Sequence, residues 1–314
     1  MRRMLLACVG FFAVLILLSE PALGQNYDKV EIITEKLAEG VYMLTGSGGN
    51  IGLGVGDDAV FVIDDQFAPL TPKILTAIAK LSDKPVKFVL NTHWHFDHVG
   101  GNENLGKSGS IIVAQENVRK RMSTDQFMAA FDEKVPASPK VALPVVTFTE
   151  SLSLHLNGEE IRAFHVANAH TDGDIILRFM KSNVVHMGDV FFNGMYPFID
   201  IDSGGSVDGV IAAVDRVLTM IDDKAKVIPG HGPLTDRDGL KAYRAMLATV
   251  RDRVREGIKA GKSLEQVLAS KPGAGIDETW GKGFLKPEVF HGTVYKSLSA
   301  KNSPKKSARE AAKK

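Results

Sequence analysis

The sequence has almost no cysteine. Its one thiol, Cys8, lies close to the N-terminus, ahead of everything that reads as folded domain. The rest of the chain can form no disulfide, present no thiolate nucleophile and offer no sulfur to a metal. An excess of either charge is also missing: 38 Lys and Arg stand against 37 Asp and Glu, a formal net charge of +1. No overall field would pull the whole protein onto nucleic acid or an anionic membrane. Nor is there an apolar run of the roughly 18 to 20 residues that a membrane span needs. The longest, Met4 to Leu18, follows Arg2 and Arg3 and precedes the small-residue pattern Ala22-Leu23-Gly24. A charged start, a short apolar centre and a small-residue end read as a secretory signal over residues 1–24. The expectation is a periplasmic or secreted protein with no stable membrane insertion once the signal is removed.

What remains is ordinary in composition, 44% hydrophobic and 24% charged over 314 residues, enough for a substantial core. The folded domain is expected over residues 25–298, followed by a basic, solvated tail over 299–314. Short strands are expected at residues 40–44, 51–55 and 59–63, the last two joined by Gly56-Asp57-Asp58. Helical spacing follows from Pro69 to Leu81, then a buried strand from Val86 to Leu90. Ile111 to Val113 reads as a strand, and Asn117 to Phe131 as a helix. Val145 to Ala167 holds three strands, two of them joined by the hairpin signal Asn157-Gly158. Two further strands are expected near 175–180 and 183–186, and a last one over Lys226 to Pro229. Helices are expected over 207–221, over 236–260, and over 263–269 with Ser263 as its cap. This order suggests two β-sheets with helices outside both.

The chemistry concentrates in loops that follow strands, where α/β folds place their ligand sites. His93-Trp94-His95-Phe96-Asp97-His98 puts four ligand-type residues within six positions, just before Gly100-Gly101. Extended backbone would put His93, His95 and Asp97 on one face; a tight loop would let the four diverge toward two metal centres. With thiolates absent, imidazole and carboxylate are the donors available to zinc. His170, Asp189 and His231 each close a predicted strand, and none falls in a predicted helix. Gly230 and Gly232 around His231 allow the backbone to turn closely about a site.

These residues together resemble the metallo-β-lactamase superfamily. Its His-x-His-x-Asp-His signature matches at His93, His95, Asp97 and His98, its later motifs at His170, Asp189 and His231, and its early aspartate at Asp64. The separations are 72, 19 and 42 residues, and the resemblance runs from about residue 36 to 260. It implies an α/β fold of four layers, an αββα sandwich with metals at one edge. It implies one zinc on His93, His95 and His170, another on Asp97, His98 and His231, Asp189 between them, and Asp64 orienting a ligand histidine from behind. Iron or manganese could serve in place of zinc at such donors.

The expected chemistry is that of a zinc-dependent hydrolase, in which a hydroxide shared by two metals opens a carbonyl compound. Asp97 orients the nucleophile and passes a proton to the leaving group. A β-lactam is the first expectation for the substrate. The alternatives are a lactone, a thioester or another ester. A non-hydrolytic alternative is a periplasmic metal-binding accessory protein of a redox-enzyme system. One departure bears on this. Lactamases that bind metal through a cysteine at the place of Asp189 carry a substrate-binding lysine three residues later, where this chain has Phe192. Trp94, Phe192 and Tyr196 are candidate pocket residues, with Phe191 and Phe198 beside them. The expected partner is a small molecule and not nucleic acid; the sequence leaves the oligomeric state open.

Overall fold

A computed structural model describes residues 26–300. The segment read as a secretory signal and nearly all of the basic tail lie outside these residues.

Chain order explains the layers. The first sheet begins with four antiparallel strands, β1 (Ile33–Ala38), β2 (Val41–Thr45), β3 (Ile51–Val55) and β4 (Val60–Ile63). Helix α1 (Thr71–Ala79) carries the chain to β5 (Val86–Leu90), which pairs parallel to β4. Two short helices, α2 (Phe96–Val99) and α3 (Asn102–Lys107), lead to β6 (Ile111–Gln115). Helix α4 (Glu116–Met122) and a separate hairpin, β7 (Gln126–Met128) with β8 (Glu133–Val135), precede β9 (Val146–Phe148), the sheet's last strand.

The second sheet follows in sequence: β10 (Ser151–Leu156), β11 (Glu159–His165), β12 (Ile175–Phe179), β13 (Val184–His186), β14 (Lys226–Ile228) and β15 (Thr235–Asp236). Helix α5 (Val207–Met220) crosses between β13 and β14, which pair parallel. Helices α6 (Arg237–Lys259), α7 (Leu264–Ala269), α8 (Asp277–Trp280) and α9 (Pro287–Ala300) complete the described chain.

Side-chain alternation glues the layers. In β4, Phe61 and Ile63 face the second sheet while Val60 and Val62 face α1. In β12, Ile175, Leu177 and Phe179 meet the first sheet, and Ile176 faces the helical layer of α5, α6 and α9. Phe61 and Phe179 stack across the two sheets with ring centroids 6.0 Å apart. The result is the expected αββα sandwich, with the central strands of each inner sheet buried on both faces.

Several turns follow their sequence signals. Asn157 and Gly158 take φ values of 58° and 68°, the left-handed pair of a two-residue hairpin. Ser263 caps α7 in a reciprocal capping box with Gln266. Asp236 caps α6, accepting from the backbone N–H groups of Asp238 and Gly239. Among the described residues, no helix is long and apolar enough to cross a membrane.

Two expectations are corrected. The helix expected over 117–131 stops at Met122. Ser123 and Thr124 turn their hydroxyls back onto backbone carbonyls, and Asp125 accepts from the Ala137 backbone N–H at 2.9 Å. The chain then forms the β7–β8 hairpin, helped by Asp132 in the left-handed region at φ 52°. At the C-terminus, α9 runs through Ala300, two residues past the expected end of the domain at 298.

Candidate metal centre

The strand ends of both sheets meet at one edge, and the ligand-type residues converge there. After β5 the backbone stays irregular through His95, then enters α2 at Phe96. That switch sends His93 and His95 one way and Asp97 and His98 another, so the one-face geometry of an extended strand does not occur. His170 arrives from the loop after β11, where its backbone N–H and that of Thr171 both donate to Asp174 Oδ2 at 2.6 and 2.8 Å. Asp189 follows β13 in a single 3-10 turn, Gly188–Val190, rather than in plain loop. His231 follows β14.

Two groups of donor atoms result. His93, His95, His170 and Asp189 form one, and Asp97, His98 and His231 the other; within each group the atoms lie within 4.8 Å of one another. Asp189 faces both. Its Oδ2 is 3.8 Å from His93 Nε2 and 3.6 Å from His170 Nε2, and its Oδ1 is 3.0 Å from His98 Nε2 and 3.4 Å from His231 Nε2. The close packing explains a glycine: a Cβ on Gly230 would sit 2.1 Å from Asp189 Oδ1.

The arrangement behind the rings shows which nitrogens are free for a cation. His98 Nδ1 lies 2.7 Å from Asp64 Oδ2, His93 Nδ1 3.0 Å from Thr92 Oγ1, His95 Nε2 3.0 Å from Asp200 Oδ2, and His170 Nδ1 2.8 Å from the Phe198 carbonyl. Each of these four nitrogens faces an oxygen that accepts. That assigns the ring proton to the outer nitrogen and leaves the inner lone pair turned toward the cluster. Asp64 serves both halves: it holds His98 directly, and its Oδ2 accepts from the Thr92 hydroxyl at 2.7 Å, which in turn contacts His93. Asn50 ties the His231 loop in place, donating to the carbonyls of Pro229 and Gly232 at 2.9 and 2.8 Å.

The electrostatics call for positive charge. Burial disfavours a charged His98, yet Asp189, Asp97 and Asp64 around it raise its pKa well above the usual imidazole value. Burial likewise opposes charge on His231, but Asp189 and Asp97 lift it to about 9. Burial alone would raise the Asp97 pKa; His98 and His231 instead hold it at about 2. Asp189 Oδ1 is buried with no hydrogen bond of normal geometry, wedged between imidazole nitrogens. A cation between these lone pairs and carboxylates would supply the missing charge, so the donor set fits metal ions.

A cavity of about 420 Å³ opens onto this cluster, reaching Asp97, Asp189, His95 and His231. Phe67, Phe96, Phe131, Phe192, Phe198 and Phe284 supply much of its wall, and among the described residues no lysine or arginine lines it. Phe192 lines this cavity, stacked on His231 with centroids 4.9 Å apart. Two other candidates are corrected. Trp94 is buried beside Val99, Ala114, Val118 and Met122, with the Arg121 guanidinium over its ring at 5.9 Å; its neighbours in sequence join the donor cluster, but it packs behind them. Tyr196 is core: it stacks on Phe290 at 4.4 Å and gives its hydroxyl to Asp277 Oδ1 at 2.6 Å, so it is not placed to donate to a substrate. Phe191 is core as well, against Tyr243, whereas Phe198 joins the cavity wall.

The two-sheet sandwich thus carries paired histidine and aspartate groups at its edge, open to the cavity. The chain belongs to the metallo-beta-lactamase superfamily, whose family model matches residues 44–232. It is 24% identical over 237 residues to a linear primary-alkylsulfatase of Pseudomonas sp., a match covering 62% of this chain and 44% of that one. It is 25% identical over 152 residues to the type 2 metallo-beta-lactamase of Bacteroides fragilis, covering 48% and 55%. The chain thus spans about half the length of these two relatives. A metallo-beta-lactamase from Pontibacter korlensis shares the fold with a TM-score of 0.56 at 19% identity, covering 69% of this chain and 99% of that one.

Proposed function

We propose that the chain hydrolyses uncharged carbonyl compounds bearing apolar groups, with esters, thioesters and lactones ahead of β-lactams, and that two divalent cations, zinc first, serve the reaction. The observation that carries this reading is the cavity wall with six phenylalanines and, among the described residues, no lysine or arginine, directly over Asp97, Asp189 and His231. An anionic group held against this wall, away from the cations, would lose its hydration and gain no counter-charge. The phenyl ring of Phe192 in particular offers nothing to a carboxylate. The N-terminal pattern supports export from the cytoplasm, where such a hydrolase would meet small molecules.

His93, His95 and His170 would hold one cation, Asp97, His98 and His231 the other, with Asp189 reaching toward both. The chemistry a divalent cation supplies there is Lewis acidity toward a carbonyl oxygen and toward water. The protein does the rest. Asp97 stays ionised at neutral pH and lines the cavity, so its free oxygen can take a proton from an attacking water and return it to the leaving group. Asp64, Thr92 and Asp200 keep the ligand rings from turning. The phenylalanines exclude bulk water and orient the apolar part of the substrate.

The test is a panel of neutral alkyl and aryl esters, a thioester, a lactone, a penicillin, a carbapenem and a primary alkyl sulfate, run on zinc-loaded protein with and without chelator. Chelator-sensitive turnover with kcat/KM highest for the neutral carbonyl compounds is expected. Faster turnover of the carboxylated lactams or of the sulfate would overturn the substrate class. Bound metal with no turnover of any member would favour a metal-binding accessory role.

A further inference from the structure

Two aromatic columns run from the donor cluster to solvent, one from each half. From the first half, Phe198 lies 5.8 Å from both His95 and His170, and Phe131 lies 5.1 Å from Phe198. From the second, Phe192 stacks on His231 and Phe284 lies 6.1 Å from Phe192. The inner rings are buried or nearly so, whereas Phe131 is 42% and Phe284 58% exposed. Phe131 sits at the turn of the β7–β8 hairpin and Phe284 in the loop between α8 and α9. The second position lies beyond the residues that the family model matches. Both exposed rings line the same cavity as the catalytic carboxylate Asp97.

We infer that Phe131 and Phe284 are a clamp that reads substrate chain length: an unbranched apolar chain of the substrate leaves the reacting group between the two columns and is gripped at the mouth by these rings. This rests on the reading of the site as a hydrolase of neutral, apolar carbonyl compounds. The occupant is argued from continuity. The apolar wall is unbroken from the ligand rings outward, and it ends in two solvated phenyl groups that only an apolar chain would cover favourably. Each added methylene buried between them strengthens binding by up to about fourfold.

Binding measurements test the clamp apart from turnover. Aceto-, butyro-, hexano- and octanohydroxamic acids carry the same metal-binding group, which chelates as the hydroxamate, and a growing chain. Calorimetric Kd values on zinc-loaded protein should fall about two- to fourfold per methylene. Phe131→Ala, Phe284→Ala and the double variant should flatten that slope, the double variant most. Both rings are on the surface, so the variants should keep wild-type metal content and unfolding temperature. A Kd independent of chain length would overturn the inference, as would variants that leave the slope unchanged or weaken all four ligands equally. A steep slope in a protein that hydrolyses no ester would support the clamp and overturn the hydrolase reading.

Discussion

Asp97→Asn is expected to lower kcat about 10²- to 10⁴-fold, the usual contribution of a positioned proton-transfer group, while the fold and unfolding temperature stay close to wild type. Asn matches Asp in shape, so the turn of α2 that carries it should survive. What changes is the chemistry. The Asp97 carboxylate lies 3.3 Å from His231 Nε2 and 3.6 Å from His98 Nε2, and its side chain retains 20% exposure toward the cavity. It is the more exposed of the two carboxylates in the donor cluster; Asp189 is 5% exposed and wedged among four imidazoles. An amide at position 97 can neither take up a proton nor offer negative charge to a cation held beside it. Weaker retention of the cation held by His98 and His231 is expected as well, so metal content is measured with the rate. Near wild-type turnover with full metal would remove Asp97 from the proton-transfer role.

Asp64→Ala is expected to be the most damaging single change away from the cavity. Asp64 is fully buried and accepts from the Thr92 backbone N–H at 2.7 Å and the Thr92 hydroxyl at 2.7 Å, with His98 Nδ1 at 2.7 Å. It holds a left-handed conformation, φ 64°, which a non-glycine residue adopts only when its surroundings demand it. Alanine leaves three donors without an acceptor in the interior and retains the backbone strain. Removing one partner of a buried, hydrogen-bonded ion pair typically costs about 3–5 kcal/mol, and loss of the group that orients a ligand histidine lowers metal affinity about 10- to 100-fold. Asp64→Asn tolerates the same backbone and keeps one acceptor, so it should fall between wild type and alanine in both unfolding temperature and zinc affinity. Wild-type values for both quantities in the alanine variant would show that the Asp64 network holds nothing in place.

The sequence carried much of this fold because its signals were local. Asn157-Gly158 marked a two-residue hairpin, and the apolar run at 60–63 had no polar position for a wet face. Residues 117–131 misled because charged residues and one apolar position per turn suit either a helix or the start of a hairpin. The decision fell to Ser123, Thr124 and Asp125, whose side chains bond their own backbone. Helix α9 went unread because its buried positions, Phe290 and Val294, gain meaning only against α6.

At the site, residues adjacent in sequence were legible and those joined only in space were not. The His93–His98 cluster announces itself by density. Asp200 has no such signal, lying 105 residues from the His95 ring that it holds. Thr92 and Asn50 act through single hydrogen bonds that spacing does not reveal. Trp94 and Tyr196 failed as pocket residues for one reason: an aromatic beside a ligand is equally suited to lining a cavity and to packing behind it, and only burial decides.

Metal content measured on the purified chain tests the central claim most directly. Protein dialysed against zinc and freed of excess metal should contain two zinc ions per chain by mass spectrometry, one for each donor group. One ion or none at saturating zinc would contradict the account, since it would mean that the seven converging side chains do not form the two-cation site on which the proposed hydrolysis depends.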